Sequence, residues 1–270
     1  DHTRPDAGAA FQSLARCLGV SGPPPAPRRV LAVRTTTVAS LIRGRCLRPS
    51  MKRSLADHAA RFDEKPPEYD SSKSDEYKAA VSLVVEHAAP GPEDVVLDLG
   101  TGTGAIALAL AADAGRVLGR DISEGMLAEA REKAADRGLE NVGFDEGQFR
   151  EPRVDTAALE AGVDTVTSNF AMHHLSDGEK RDAMEAIAAL EPRRVVLGDV
   201  MFFGEPDPEE PFYSPEVDDP ATVGVLADAF TDAGFALTAV ERVHDQVGVL
   251  VGERLGADGA PASVAGDDAV

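Results

Sequence analysis

The sequence predicts an α/β protein with a doubly wound, seven-stranded and mostly parallel sheet, preceded by an N-terminal helical cap. From Val95 onwards, short apolar runs typical of buried strands alternate with Ala- and Leu-rich stretches typical of helices. The first run leads into the glycine-rich stretch 100–104, after which a helix opens. The last two runs are joined by only a few residues, so they must pair as an antiparallel hairpin.

The helical cap is expected within residues 51–90. Apolar residues recur there at helical spacing up to Phe62, and Pro66-Pro67 ends that run. Ser72 and Asp75 resemble a capping box at the start of a second helix.

The domain that follows, residues 91–255, is an alternation of strands and helices. Parallel neighbours in a sheet need a crossover connection, which each intervening helix provides. The predicted strands are Val95–Leu99, Arg116–Asp121, Asn141–Phe144, Val163–Asn169, Arg194–Val200, Phe235–Arg242 and Gln246–Gly252. The predicted helices are Ala105–Ala112, Gly125–Arg137, Gly178–Leu190 and Pro220–Ala233.

Charge and hydropathy limit the classes of partner. The chain has 47 acidic and 27 basic residues, a net charge of −20, which disfavours binding to bare nucleic acid. Acidic, Lys-poor surfaces suit high salt, where screening removes the self-repulsion of like charges, so we expect a halophilic source. No stretch approaches the roughly 20 apolar residues of a membrane helix. We therefore expect a cytoplasmic protein without a membrane partner, and the sequence leaves its oligomeric state open.

The first 50 residues differ in composition from the rest of the chain. They carry eight Arg, no Lys, two acids and both cysteines, Cys17 and Cys46. An Arg-containing, acid-poor leader could be an organelle transit peptide. Met51-Lys52-Arg53 resembles a natural start, however, which favours a translated upstream extension. We therefore expect residues 1–50 to be a basic extension that is disordered or lies outside the native fold, and we expect the tail 256–270 to be disordered.

A strand that runs into Gly100, Gly102 and Gly104 and then into a helix is typical of a nucleotide-binding turn. Without side chains the backbone can approach a ligand closely, and N–H groups point out of the helix N-terminus. The spacing also satisfies the dinucleotide fingerprint, so a nicotinamide-dependent oxidoreductase is one alternative. Asp98 would sit badly beside a pyrophosphate but suits a ligand with an ammonium and a sulfonium group. Asp121 ends the next strand, where a carboxylate can accept hydrogen bonds from both ribose hydroxyls.

Taken together and in this order, the motifs resemble those of the class I S-adenosylmethionine-dependent methyltransferases. The resemblance is to the broad group of ubiquinone/menaquinone-type and small-molecule methyltransferases, and it covers about residues 55–252. It implies a sheet of order 3-2-1-4-5-7-6 with the seventh strand antiparallel, and S-adenosyl-L-methionine as the cofactor. The matching stretches are Leu97–Gly104, Val117–Ser123 with Met126, Val163–Leu175, Leu190–Asp199 and Ala233–Phe235.

The resemblance also implies a set of cofactor-binding residues. The glycine turn would surround the methionine part of the cofactor, with Asp98 near the amino group and Asn169 near the amino-acid end. Asp121 would hold the ribose, and Gln148 stands where the family usually has an Asp beside the adenine amine. Tyr69 would be a lid residue. The implied residues are Asp98, Gly100, Thr101, Gly102, Gly104, Asp121, Ile122, Met126, Gln148, Phe149, Asn169 and Tyr69.

The catalytic residues are less well defined. His173 and His174 follow the fourth strand and could supply a general base, because histidine titrates near neutrality; burial in the core is the alternative role. Asp199, taken as the end of the fifth strand, could face the substrate or cap the next loop. Direct displacement from a sulfonium needs no nucleophilic side chain, because the cofactor brings the reactive group.

A small-molecule acceptor is favoured only by elimination. The sequence has no stripe of aromatic and basic residues for RNA and predicts no metal site, so a small molecule is the expected acceptor. Arg193 and Arg194 replace the glycines that the family usually has before the fifth strand, and they could contact an anionic substrate or solvent. The insertion 201–219 could form part of a substrate pocket. A non-catalytic domain that only binds the cofactor is the second alternative.

Overall fold

The computed structural model describes residues 59–60, 62–63, 73–159, 162–205 and 212–256. The predictions made for residues 1–50, for Tyr69 and for the tail from 257 onwards fall outside these residues. In the described part of the chain, every helix is too short or too polar to cross a membrane.

One sheet organises the fold. Its strands are β1 (Val95–Leu99), β2 (Arg116–Asp121), β3 (Val142–Glu146), β4 (Thr165–Asn169), β5 (Arg194–Phe202), β6 (Ala221–Thr222), β7 (Phe235–His244) and β8 (Val247–Arg254). The order is β3-β2-β1-β4-β5-β8-β7, and the two-residue strand β6 pairs with β5 off this path. Strands β1 to β5 are parallel, whereas β8 runs antiparallel to β5 and β7. Apart from β6, which was not predicted, this is the predicted order 3-2-1-4-5-7-6, and the predicted fold class is confirmed.

Helices connect the strands. They are α1 (Asp75–Ala88), α2 (Ala105–Leu110), α3 (Glu124–Asp136), α4 (Asp177–Ala188) and α5 (Val223–Asp232), with short 3-10 turns at Thr156–Ala158 and Met172–His174. The predicted cap of α1 was wrong. Ser74, not Ser72, is the N-cap, because its hydroxyl accepts the Tyr77 N–H at 3.2 Å. A reciprocal capping box instead starts α4, between Ser176 and Glu179.

Both faces of the sheet are covered, and neighbouring residues of β1 pack into different cores. Val96 belongs to the core that contains Val84 of α1, whereas Leu97 belongs to the core that contains Met184 of α4 and Phe230 of α5. All five residues of β1 are buried, as expected for a central parallel strand between two helical layers. The polar residue in this strand therefore needs partners inside the protein.

Several strand boundaries differ from the prediction. β3 covers Val142–Glu146 instead of starting at Asn141, and β5 continues to Phe202. Asp199 consequently lies inside β5 and is buried, with 2% of its surface exposed. Its role as a cap for the following loop is ruled out by this position.

Candidate active site

A cleft lies at the carboxyl ends of β1, β2, β3 and β4. Connections from β1 and β4 lead to opposite sides of the sheet, which makes this the switch point where open α/β sheets bind ligands. The cleft contains about 1090 Å³ of empty space, including its opening to solvent, which is enough for a nucleotide-sized ligand. Its lining residues are Phe62, Tyr77, Asp98, Gly100, Thr101, Gly102, Thr103, Ala105, Ile106, Asp121, Ile122, Met126, Gly147, Gln148, Phe149, Arg150, Asn169, Phe170, Ala171, His174 and Leu175.

The turn between β1 and α2 has backbone conformations that favour glycine. Gly100 and Gly102 have φ angles of +68° and +53°. The N–H groups of Gly100 and Thr101 donate to the carbonyl of Arg120 at 2.8 and 3.0 Å, which ties the turn to β2. A Cβ on Gly100 would lie 2.4 Å from the Cβ of Ala171, whereas a Cβ on Gly102 would meet no atom within 4 Å. Gly100 thus permits close packing, and Gly102 leaves space open to a ligand.

The carboxylate of Asp121 is held by two backbone N–H groups. Oδ2 accepts from Gly102 at 2.8 Å and Oδ1 accepts from Ser123 at 2.9 Å. Burial raises the pKa of Asp121, and these two hydrogen bonds oppose the rise. Each carboxylate oxygen can accept a second bond, so this fixed carboxylate can still receive hydroxyl groups from a ligand in the cleft.

Asp98 is the buried polar residue of β1. Its carboxylate accepts the Thr101 hydroxyl at 2.6 Å and the Thr167 hydroxyl at 2.9 Å. Burial raises the pKa of Asp98 to about 6, although both hydroxyl groups oppose the rise. Because these described partners are uncharged, a cationic group of a ligand in the cleft would supply the counter-charge that a buried carboxylate needs.

Asn169 presents an unsatisfied amide at the end of β4. Only 8% of its surface is exposed, and neither its side-chain nitrogen nor its oxygen has a hydrogen-bond partner among the described residues. A Cβ on Gly198, its neighbour in β5, would lie 2.4 Å from the amide oxygen. The bare glycine therefore makes room for this side chain. Buried amides usually have partners, so Asn169 offers two N–H donors and a carbonyl acceptor to a ligand.

The other end of the cleft is bordered by the turns after β2 and β3. Ile122, Met126, Gln148 and Phe149 line it, and Met126 is 2% exposed. Asp63, from the segment before α1, also reaches this end. Its carboxylate accepts the Ser123 hydroxyl at 2.6 Å and the Gly125 N–H at 3.0 Å, which fixes the start of α3.

Two histidine–aspartate pairs stand side by side. Nδ1 of His173 lies 2.5 Å from Oδ1 of Asp199, and Nδ1 of His174 lies 2.7 Å from Oδ1 of Asp218. The centres of the two rings are 4.1 Å apart. Burial lowers the pKa of His174, although the hydrogen bond to Asp218 opposes this. Burial alone would raise the pKa of Asp218, but bonds from His174 and the Ser214 N–H outweigh it and lower the pKa.

Aromatic rings form the wall beside His174. The ring centres of Tyr77 and Phe170 are 5.1 Å apart, and those of Phe62 and His174 are 5.6 Å apart. Phe170 has a φ of +53°, which is unusual for a residue other than glycine. Phe212, from the 201–219 insertion, packs against Phe170 with ring centres 6.2 Å apart. The insertion thus supports one wall of the cleft.

Most of the residues implied by the resemblance meet in this cleft. Gly104 is the N-cap of α2 and does not line it. His174 lines the cleft, whereas His173 does not, and Tyr69 lies outside the described residues. The implied residues that line the cleft are Asp98, Gly100, Thr101, Gly102, Asp121, Ile122, Met126, Gln148, Phe149 and Asn169.

Arg193 and Arg194 form ion pairs away from the cleft. They lie at the start of β5, on the edge of the sheet opposite the cleft. Arg193 Nη2 is 2.5 Å from Asp94 Oδ2, and Arg194 Nη2 is 2.9 Å from Glu253 Oε1. Contact with a substrate in the cleft is therefore excluded for these cations, since parallel strands start at the edge away from the ligand. Their side chains are 28% and 17% exposed, so they face solvent only in part.

Sequence reasoning missed three residues around the histidines and Asp98: Thr167, Lys180 and Asp218. Asp199 was expected to face the substrate or to cap a loop, and its pairing with His173 was not predicted. Thr167 could have been found from its place in β4, since a central strand next to Asp98 puts a hydroxyl within reach. The partners of His173 and His174 are 26 and 44 residues away along the chain, and no local pattern signals pairs so far apart.

The chain is similar to known proteins in sequence and in fold. Residues 96–192 match the family described as "Methyltransferase domain". An uncharacterized methyltransferase of Bacillus velezensis is 28% identical over 155 residues, which cover 52% of this chain and 69% of the relative. The chain thus spans about two thirds of the length of this curated relative.

Solved structures resemble the fold. DhpI, solved as a complex with SAH, has a TM-score of 0.58 and 21% identity, with 74% of this chain and 96% of DhpI covered. The [4+2]-cyclase SpnF has a TM-score of 0.61 and 16% identity, with 75% and 97% covered. Because one of these similar proteins is a cyclase, the fold alone does not determine the reaction.

Proposed function

We propose that this chain, a class I S-adenosylmethionine-dependent methyltransferase by family and fold, transfers a methyl group to a small-molecule acceptor. The observation that carries the proposal is that Asp98 and Asp121 border one cleft with the glycine turn between them. A carboxylate near each end of the turn fits a ligand that combines a cationic amino-acid end with a ribose.

The residues present fit S-adenosyl-L-methionine. Asp98 would face the ammonium group, which supplies the counter-charge that burial demands. Asn169 would use its unsatisfied amide at the same amino-acid end. Asp121 would accept the ribose hydroxyls while its backbone bonds to Gly102 and Ser123 keep it in place. Ile122 and Met126 would pack against the adenine, and Gln148 would accept from its amine.

When bound, S-adenosyl-L-methionine supplies an activated methyl group for direct displacement. The chain's own task is to hold the acceptor in line with that group, and such positioning is worth roughly 7–11 kcal/mol. In this proposal His174 takes a proton from the acceptor. Asp218 receives the Nδ1 hydrogen, so Nε2 is the ring nitrogen that accepts the proton. Its lowered pKa keeps the ring neutral and able to act as a base.

The wall around His174 supports an uncharged, partly apolar acceptor. Phe62, Tyr77, Phe170 and Leu175 line that part of the cleft. Arg150 also lines the cleft, but it lies 3.5 Å from Glu179, which offsets its charge. Apolar lining with a few polar groups is typical of small-molecule sites, and a phenol, amine or thiol with a removable proton would match His174.

The proposal is tested in two steps on the full chain in high salt. Calorimetric titration with S-adenosyl-L-methionine is expected to show binding in the micromolar range or tighter, and NADH fluorescence no binding. Methyl-labelled cofactor is then incubated with a panel of uncharged phenols, anilines and thiophenols, and labelled product is measured against S-adenosylhomocysteine formed. Absence of cofactor binding at about millimolar ligand overturns the proposal. Binding without transfer to any acceptor would instead favour a non-catalytic cofactor-binding domain.

A further inference from the structure

Lys180 is the least exposed cationic side chain in the described part of the chain. It lies on α4 with 2% of its surface exposed. Burial lowers the pKa of its ammonium group, and nearby carboxylates, Asp177 first among them, oppose the shift. Burying a cation costs free energy unless its N–H donors are hydrogen-bonded. The hydrogen bonds of this ammonium group therefore indicate its role in the structure.

The ammonium group joins two backbone segments. Nζ donates to the carbonyl of Leu175 at 2.6 Å and to the carbonyl of Asp219 at 2.5 Å. Leu175 directly follows His174, and Asp219 directly follows Asp218. Lys180 therefore holds the two neighbours of a histidine–aspartate pair whose members are 44 residues apart.

One further bond joins the same two segments, because the Asp219 N–H donates to the His173 carbonyl at 2.7 Å. Another bond orients the Asp218 carboxylate. The Ser214 N–H donates to Oδ2 of Asp218 at 2.7 Å, leaving Oδ1 directed at His174. The exposed Asp177 carboxylate also lies 3.6 Å from the ammonium group. Asp177 is on α4 together with Lys180, so this ion pair does not join the two segments.

From this arrangement we infer that Lys180 is a positioning residue: it holds the Asp218 loop against the His174 turn and thereby sets the Nδ1–H tautomer of His174. This inference rests on the proposed function for its catalytic meaning, because only that tautomer leaves Nε2 to accept a proton from the acceptor. The charged and titratable groups around the ammonium and the two rings are Asp177 on α4, Asp199 on β5, Asp218 and Asp219 in the loop, and His173.

The tautomer of His174 can be measured directly by NMR, so the test does not require a methyl acceptor. Long-range proton–nitrogen spectra of the full chain with ¹⁵N-labelled histidine distinguish Nδ1–H from Nε2–H, and the His174 signals are identified by their loss in His174→Gln. In the wild type we expect the Nδ1–H form. Lys180→Met is expected to move the ratio toward Nε2–H as far as Asp218→Asn does, and the double variant no further. Asp177→Asn, which removes only the exposed neighbour, is the matched control and is expected to keep the wild-type ratio.

A folded Lys180→Met protein with the wild-type tautomer ratio would overturn the inference, as would an equal shift in Asp177→Asn. Should Lys180→Met not fold, Lys180→Gln keeps a polar side chain without the charge, and an unchanged ratio there has the same meaning. Titration with S-adenosylhomocysteine separates the two proposals. If Lys180→Met shows the tautomer shift but the wild-type chain binds no S-adenosylhomocysteine, only the proposed function is overturned. If the wild-type chain binds S-adenosylhomocysteine but Lys180→Met shows no shift, only the positioning role is overturned.

Discussion

The carboxylate of Asp121, at the end of β2, accepts the backbone N–H of Gly102 over 2.8 Å. The two residues are 19 positions apart, and the bond joins the glycine turn to the carboxylate proposed to hold the ribose. The other carboxylate oxygen accepts the N–H of Ser123. The Asp121 carboxylate therefore holds both the glycine turn and the start of α3 in place. The proposed cofactor site is therefore preorganised by hydrogen bonds within the chain.

Asp121→Ala is expected to weaken S-adenosylhomocysteine binding roughly 10- to 100-fold, because bonds to a charged acceptor are worth about 1.5–3 kcal/mol. Glu146→Ala is the matched control: this acid ends the neighbouring strand, but 65% of its side chain is exposed and it does not line the cleft. Calorimetry measures both variants, and equal losses in the two would contradict the assigned role of Asp121.

Gly102→Ala is expected to reduce cofactor affinity about tenfold or more, since its new Cβ would occupy ligand space and overpacking costs roughly 1–3 kcal/mol. Gly138→Ala is the control, because Gly138 also has a positive φ, of +64°, and open space around it, but lies at the end of α3. Both changes cost roughly 1–2 kcal/mol of folding free energy. Only the first is expected to change the dissociation constant of S-adenosylhomocysteine.

Asp98→Asn is expected to stabilise the cofactor-free protein at pH 7.5 while weakening cofactor binding. Burial raises the pKa of Asp98 from 3.8 to about 6, so the folded state favours the protonated form. The contribution of Asp98 to stability is full below pH 3.8 and is lost as the pH rises through about 6. A shift of this size corresponds to about 3 kcal/mol at most.

Chemical denaturation at pH 7.5 and at pH 5 checks this prediction. The advantage of the Asn variant is expected to shrink at the lower pH, where Asp98 takes up its proton in the folded state. Asp113→Asn, at an exposed position after α2, controls for the loss of one negative charge. An advantage that grows at pH 5 would show that the carboxylate is not destabilised by burial.

His174→Gln and Asp218→Asn are expected to lower kcat about 100-fold or more with little change in cofactor affinity, because a positioned base contributes roughly 10²–10⁴-fold. His87→Gln is the control, since His87 lies on α1 beside Glu241 and does not line the cleft. Steady-state assays with whichever acceptor is methylated give the comparison. Wild-type rates in the two site variants would exclude His174 as the base.

Removal of metal ions is expected to leave the rate of methyl transfer unchanged, since the sequence predicts no metal site. His173, His174 and Asp218 nevertheless bring one ligand atom each within 4.8 Å of one another. Assays with excess EDTA address this directly. Activity that is lost with EDTA and restored by Mg²⁺ or Mn²⁺ would assign that group of residues to an ion.

The melting temperature is expected to rise as NaCl increases from about 0.1 to 2 M, most steeply at the low end. The chain carries a net charge of −20, and the screening length falls from about 10 Å at 0.1 M to about 3 Å at 1 M. Calorimetric scans in sucrose are the comparison, because sucrose strengthens burial without screening charge. A melting temperature that is level or falls in NaCl contradicts a halophilic surface.

The strand–helix alternation, the glycine turn and the placement of Asp98 and Asp121 could all be predicted from the sequence. Each follows from properties of short stretches: apolar runs that must be buried, positions that need a positive φ, and acids at strand ends. Because parallel strands end at a common edge, these local features also predict that the two carboxylates approach one ligand. The Arg193 side chain was misjudged because its partner, Asp94, lies 99 residues away.

What the sequence determined by itself is the fold and the polar groups along one edge of the sheet, since burial and turn chemistry are local properties of the chain. What only the tertiary structure decided is the pairing of His173 with Asp199, of His174 with Asp218, and the place of Lys180 between their segments. Those contacts depend on the β4–β5 register and on how the loop from 212 onwards closes over α4. Hydrogen bonds act over about 3 Å, so only the packed chain settles which distant groups meet.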